Sequence, residues 1–133
     1  MKIYLDENLS QHVAKALNNL NQGYFPNIEV HSTIEVFGRG VPDETLIPNI
    51  GNEGSVLITK DFNIKKTHLQ FELCRQYNLG IFFITLPKNQ DKHWEIIKLL
   101  INNWEEISQK VGREKHPFAY RIRIKGKMEK LSF

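Results

Sequence analysis

The stretch SVLIT at residues 55–59 is apolar and largely β-branched, with no charge until Lys60. A half-buried strand alternates apolar and polar residues. An unbroken apolar run instead marks a strand covered on both faces, as in a parallel sheet. The run IFFIT at 81–85 has the same character. Between the two, residues 66–77 place Leu69, Leu73 and Tyr77 on one side of a helix that Gly80 ends. Strand, helix, strand, with the strands buried, is the unit of a parallel sheet.

The same alternation extends backwards. Residues 43–51 read as a short helix, with Asp43 at the capping position and Leu46, Ile47 and Ile50 as its apolar side; Pro48 would weaken or kink it. The FGRGVP stretch at 37–42 has two glycines and a proline and reads as a loop. A strand is expected at 28–31. Before it, residues 9–20 form an amphipathic helix, capped by Asn8 or Ser10 and followed by Gly23. KIYL at 2–5 is the first strand.

Forwards, Pro87 stops the IFFIT strand. Residues 91–111 form the longest helix, with Asp91 as its cap. Trp94, Ile97, Leu100, Ile101, Trp104 and Ile107 make its stripe, either core or interface. FAYRIRIK at 118–125 alternates apolar with basic residues, as an edge or surface strand does. The expected fold is therefore α/β: a three-layer α/β/α sandwich with a mainly parallel central sheet and right-handed crossovers. Residues 1–133 are expected to form one domain.

Charge is unevenly spread. Residues 113–133 hold seven basic and two acidic residues, net +5; residues 1–112 hold 11 and 13, net −2. A basic C-terminal strand or tail suits either solubility or a polyanionic partner. No apolar run is long enough to span a membrane. Asp6 and Glu7 interrupt any leader-like apolar segment, and the single Cys74 forms no internal disulfide, so a reducing cytoplasm is the expected location. Cys74 sits among Leu69, Phe71 and Leu73 and reads as a buried small hydrophobe.

In open parallel sheets, ligands gather beyond the carboxyl ends of the strands. Asp6 and Glu7 follow KIYL, and Asp61 follows SVLIT after Lys60. Asp43 and Glu44 open the helix behind the glycine loop. If the first and third strands are neighbours, Asp6 and Asp61 converge. Two carboxylates at 4 Å repel by roughly 4 kcal/mol at an effective dielectric of 20. A cluster then needs a proton or a cation, and hard oxygen donors select Mg²⁺ or Mn²⁺. Each acid alone is also a plausible helix cap. The five histidines lack zinc spacing, and no glycine-rich nucleotide-binding motif is present.

MKIYLDENLS, then VPDE, then VLITKD resemble the PIN-like nuclease family over residues 1–85, in particular its short VapC-type toxins. The resemblance implies metal-dependent endonucleolytic cleavage of RNA, with Mg²⁺ or Mn²⁺ as cofactor. It also implies a cognate antitoxin and sometimes a homodimer. Asp6 and Asp61 would be metal ligands, with Asp43 or Glu44 as the middle acid. Glu7 and Asn8 would orient Asp6 or a metal-bound water, with Thr59 in support. Fuller PIN nucleases carry another acid after a later strand, whereas LPKNQ follows IFFIT here with no acid before Asp91. That departure favours one firmly held metal over two and leaves a catalytically inactive binding scaffold open.

Lys60 and Arg39 are candidate phosphate contacts. Arg121, Arg123 and Lys125 would form a phosphate-binding stripe, with Phe118 or Tyr120 stacking on a base if exposed; the alternation equally allows Tyr120, Ile122 and Ile124 to be buried. A receiver-like phospho-accepting domain also carries acids after strands one and three and a threonine where Thr85 stands. The long span from Asp6 to Asp61 and the absence of a Lys-Pro pair after a fifth strand fit that alternative poorly.

Overall fold

The computed structural model describes residues 1–60 and 64–132. Its strands are β1 (Lys2–Leu5), β2 (Glu29–Ser32), β3 (Val56–Lys60), β4 (Gly80–Ile84), β5 (Phe118–Ile122) and β6 (Glu129–Leu131). The α-helices are α1 (Gln11–Gln22), α2 (Thr33–Phe37), α3 (Asp43–Gly51), α4 (Ile64–Gln76) and α5 (His93–Arg113). The sheet order is β2-β1-β3-β4-β5-β6, parallel throughout except for the antiparallel β5–β6 pair. The protein is thus α/β with a mainly parallel central sheet between helical layers.

Strand periodicity divides the core. Ile3, Leu5, Ile58, Phe82, Ile84 and Tyr120 face α1 and α5, meeting Leu17, Leu100, Trp104 and Ile107. Tyr4, Leu57, Ile81, Phe83 and Ala119 face the other way, against Leu46, Ile47 and Ile50 of α3 and Cys74 of α4. All five β4 residues are buried, and four of the five in β3. The apolar runs therefore belong to strands covered on both faces. No helix among the described residues is long and apolar enough to cross a membrane.

Local chemistry sets the helix ends. Ser10 accepts from the His12 amide and caps α1, and Gly23 follows its end. Ser32 likewise accepts from the Ile34 amide and starts α2, a short helix between the expected strand at 28–31 and the expected loop at 37–42, reaching the first residue of that loop. Pro42, not Asp43, is the N-cap of α3; Asp43 is its first helical residue. Pro48 lies inside α3 without ending it.

The long helix departs further from expectation. Lys92 precedes α5 and makes no side-chain cap bond, while Asp91 is drawn into an ion pair with Lys60. Trp104 is buried, but Trp94 is 65% exposed and Ile101 47%, so the stripe is only partly core. The FAYRIRIK segment is not an edge strand. β5 lies between β4 and β6, and Phe118, Tyr120 and Ile122 are buried. Phe118 and Tyr120 therefore have no exposed ring on which a base could stack. Ile124 does not join them in the core; it is 46% exposed, beyond the strand.

Candidate functional site

β1 and β3 are adjacent and parallel, with Leu5 opposite Ile58, so Asp6 and Thr59 leave the sheet side by side. The Asp6 amide donates to the Ile58 carbonyl at 3.0 Å, which extends the ladder to the rim. Asp6 and Thr59 are both buried, at 4% and 0% exposure. Their strand positions continue the rows of Tyr4 and Leu57, so both face the α3–α4 side.

Three donors hold the Asp6 carboxylate. The Glu7 amide donates to Oδ1 at 2.8 Å. Asn8 Nδ2 and Thr59 Oγ1 donate to Oδ2 at 3.1 and 2.8 Å. A carboxylate offers about four acceptor directions, so among the described residues one on Oδ1 is left without a donor. Glu7 turns away and accepts from the Gly40 amide at 2.9 Å. Gly40 has φ +74, a left-handed conformation open to glycine at little cost. This contact ties the glycine loop to the end of β1 and brings the start of α3 to the same crevice.

Asp6, Glu7, Asp43 and Glu44 line one cavity of about 590 Å³, together with Lys65 and Lys66. Burial pushes the Asp43 carboxyl above the usual carboxylate range. Lys66 opposes that shift, the negative charges of Asp6 and Glu44 add to it, and the Gln70 amide opposes it again. Lys66 Nζ stands 4.0 Å from Asp43 Oδ2. Gln70 is 1% exposed; its amide favours the Asp43 charge from nearby, but among the described residues its Nε2 completes no hydrogen bond of good geometry. Lys66 and Gln70 escaped the sequence reading. Their i,i+4 spacing on the helix after β3 was the available signal, since it sets both on one face.

Asp61 lies outside the described residues. Among the described ones, no group of three His, Cys, Asp or Glu side chains is placed to hold a metal ion. The donors that line this crevice, Asp6, Asp43 and Glu44, are hard oxygens whose mutual repulsion Lys66 offsets only in part, the chemistry that suits Mg²⁺ or Mn²⁺. These residues fit such an ion as part of its ligand set.

The basic candidates are more dispersed. Lys60 pairs with Asp91 at 3.1 Å. Arg39 is exposed in the glycine loop. Arg121 and Arg123 both pair with Glu129, at 3.3 and 3.8 Å, and Lys125 is exposed in the β5–β6 connection. Arg123 and Lys125 lie past the carboxyl end of β5, on the same rim as Asp6. At about 4.8 Å per strand, β5 is roughly 14 Å from β1.

No curated protein and no solved structure matches the chain. A family model described as "PIN like domain" matches residues 1–86, which include β1 through β4 and the whole acidic crevice described above. The chain belongs to the PIN-like domain family, whose members are commonly nucleases.

Proposed function

We propose that the protein is a Mg²⁺- or Mn²⁺-dependent endoribonuclease of the VapC-like type, acting as the toxin of a toxin–antitoxin pair. One observation supports the reading: the buried Asp6 carboxylate, fixed by three donors among the described residues, lines the same cavity as Asp43, whose charge is disfavoured by burial and by Asp6. Such an arrangement stores repulsion that a divalent cation relieves.

Asp6, Asp43 and Asp61 would hold the ion, with Glu44 as the alternative middle acid. When bound, the ion polarises the phosphodiester and lowers the pKa of a water nucleophile. Thr59 and Asn8 hold the Asp6 carboxylate in a fixed orientation. Lys65 and Lys66 share the cavity lining with the acids, Lys66 beside Asp43, where they can meet phosphate oxygens as point charges. Lys60, Arg39, Arg123 and Lys125 extend positive charge along the same rim. An antitoxin or a second copy of the chain would find exposed apolar side chains at Leu20, Trp94 and Ile101.

The test is cleavage of a quenched fluorescent RNA. Activity should require Mn²⁺ or Mg²⁺, disappear with EDTA, and fall at least a hundredfold in Asp6→Asn and in Asp61→Asn. Induced expression should arrest growth with the parent chain and not with Asp6→Asn. Metal-independent cleavage, or cleavage surviving both substitutions, would exclude the mechanism.

A further inference from the structure

A second cavity flanks the carboxyl ends of β1 and β3, on the α1–α5 side of the sheet and opposite the acidic crevice. It holds about 250 Å³. That is below the roughly 300–1,000 Å³ of pockets that enclose drug-sized molecules, and suits one small planar group. One part of its lining is aliphatic, with Val13 from α1 and Ile96 and Ile97 from α5; the rest is polar, with Asn8, Ser10, Lys60, Asp91 and His93.

Two of these polar residues tie the cavity to the acids. Asn8 lines it while its Nδ2 donates to Asp6. Lys60 lies one residue beyond Thr59, on the opposite face of β3, and its ammonium is held by Asp91 Oδ2. A single nucleic-acid strand crossing the sheet rim from the acidic crevice would pass Asn8 and Lys60 on its way here. Lys60 is then positioned for the connecting phosphate. Among the described residues no donor reaches Asp91 Oδ1, which can accept a hydrogen bond from an amino group at the edge of a base.

We propose that this cavity is a base-binding subsite, taking one unpaired base adjacent to the scissile phosphate and favouring those with an amino group (adenine, guanine, cytosine) over uracil. The aliphatic patch of Val13, Ile96 and Ile97 packs against the ring, and Asp91 reads its edge. The assignment rests on the ribonuclease reading for its place in the reaction, but the binding itself is measurable without turnover.

The experiment uses the full chain labelled at Ile, Leu and Val methyls and titrated with AMP, GMP, CMP and UMP up to about 10 mM, enough to see millimolar binding. The first three should shift the Val13, Ile96, Ile97 and Leu100 signals, with UMP at least tenfold weaker. Ile97→Trp, which fills the cavity, should abolish the shifts. Val13→Phe serves as a second filling variant if that one does not fold. In parallel, cleavage sites in a mixed RNA pool are sequenced with Mn²⁺. The parent chain should show a base preference beside the break that flattens about tenfold in the filled variant and in Asp91→Asn. Methyl shifts without cleavage would uphold the subsite and defeat the ribonuclease reading. Cleavage with the same preference in parent and filled variants, or no methyl shift with any nucleotide, would overturn the subsite.

Discussion

Thr59 Oγ1 donates to Asp6 Oδ2 at 2.8 Å, a buried contact between residues 53 positions apart in sequence. A hydrogen bond to a charged group contributes roughly 1.5–3 kcal/mol. Thr59→Val keeps the shape and removes the donor. It should lower stability by about that amount in a denaturant melt, and the loss should disappear in an Asp6→Asn, Thr59→Val double variant. Through its effect on Asp6 it should also weaken Mn²⁺-dependent cleavage by about 10–100-fold, the usual scale for groups that orient metal ligands. An unchanged Mn²⁺ requirement would show that the hydroxyl serves packing alone.

Asp43 should trade stability for function. Its carboxyl is raised in the folded state, chiefly by burial and against the pull of Lys66. The folded chain therefore holds that proton to higher pH than the unfolded chain does. No penalty exists at low pH, where both states are protonated. The penalty grows as pH rises from the ordinary carboxylate range, near 4, and is complete above the folded value. In metal-free buffer at pH 7, Asp43→Asn should be more stable than the parent by about 0.5–2 kcal/mol. The gain should vanish near pH 3. Added Mn²⁺ should raise the melting temperature of the parent and leave the variant nearly unmoved.

Gly80 starts β4 where no side chain fits. A Cβ there would lie 2.4 Å from Cε2 and Cζ of Phe118. That ring is 2% exposed and packs edge-on against Phe82, centroids 5.6 Å apart, so it cannot swing clear. Gly80→Ala should cost about 1–3 kcal/mol by overpacking. Phe118→Leu in the same chain should recover part of the loss, read from paired thermal melts.

Trp104 Nε1 donates to Asn21 Oδ1 at 2.8 Å and joins α5 to α1 inside the core. Asn21→Leu removes the acceptor and strands a buried indole N–H, a loss of roughly 1–3 kcal/mol. Trp104→Phe also costs packing. The two together should cost less than their sum, since neither orphan then remains, and a double-mutant cycle measures the difference. Strict additivity would mean that the bond adds nothing beyond packing.

The apolar runs around Leu57 and Phe82 made the parallel sheet legible, because burial on both faces leaves no room for polar alternation. The meeting of Asp6 with the start of α3 was legible for a related reason: strand ends in such a sheet share one rim. Other features depended on partners distant in sequence. Asp91 looks like a helix cap, and only the fold shows Lys60 within 3.1 Å of it. β6 is three residues long and mostly exposed, so no periodicity could announce it. α2 is five residues long and rests on the Ser32 cap. Trp94 keeps the helical spacing of a core residue, but nothing among the described elements covers it. Gln70 went unnoticed because a polar residue in an amphipathic helix ordinarily faces water, whereas here it is buried beside Asp43.

The family signature ends at residue 86, but β4 finishes only two residues earlier and hydrogen-bonds along its whole length to β5. A fragment cut after the signature would bare the flank of the most apolar strand and strip away α5, the longer of the two helices that roof one side of the sheet. Such a piece would carry most of the recognisable chemistry and still be expected to clump. The boundary that marks kinship is therefore not the boundary at which the polypeptide can be trimmed.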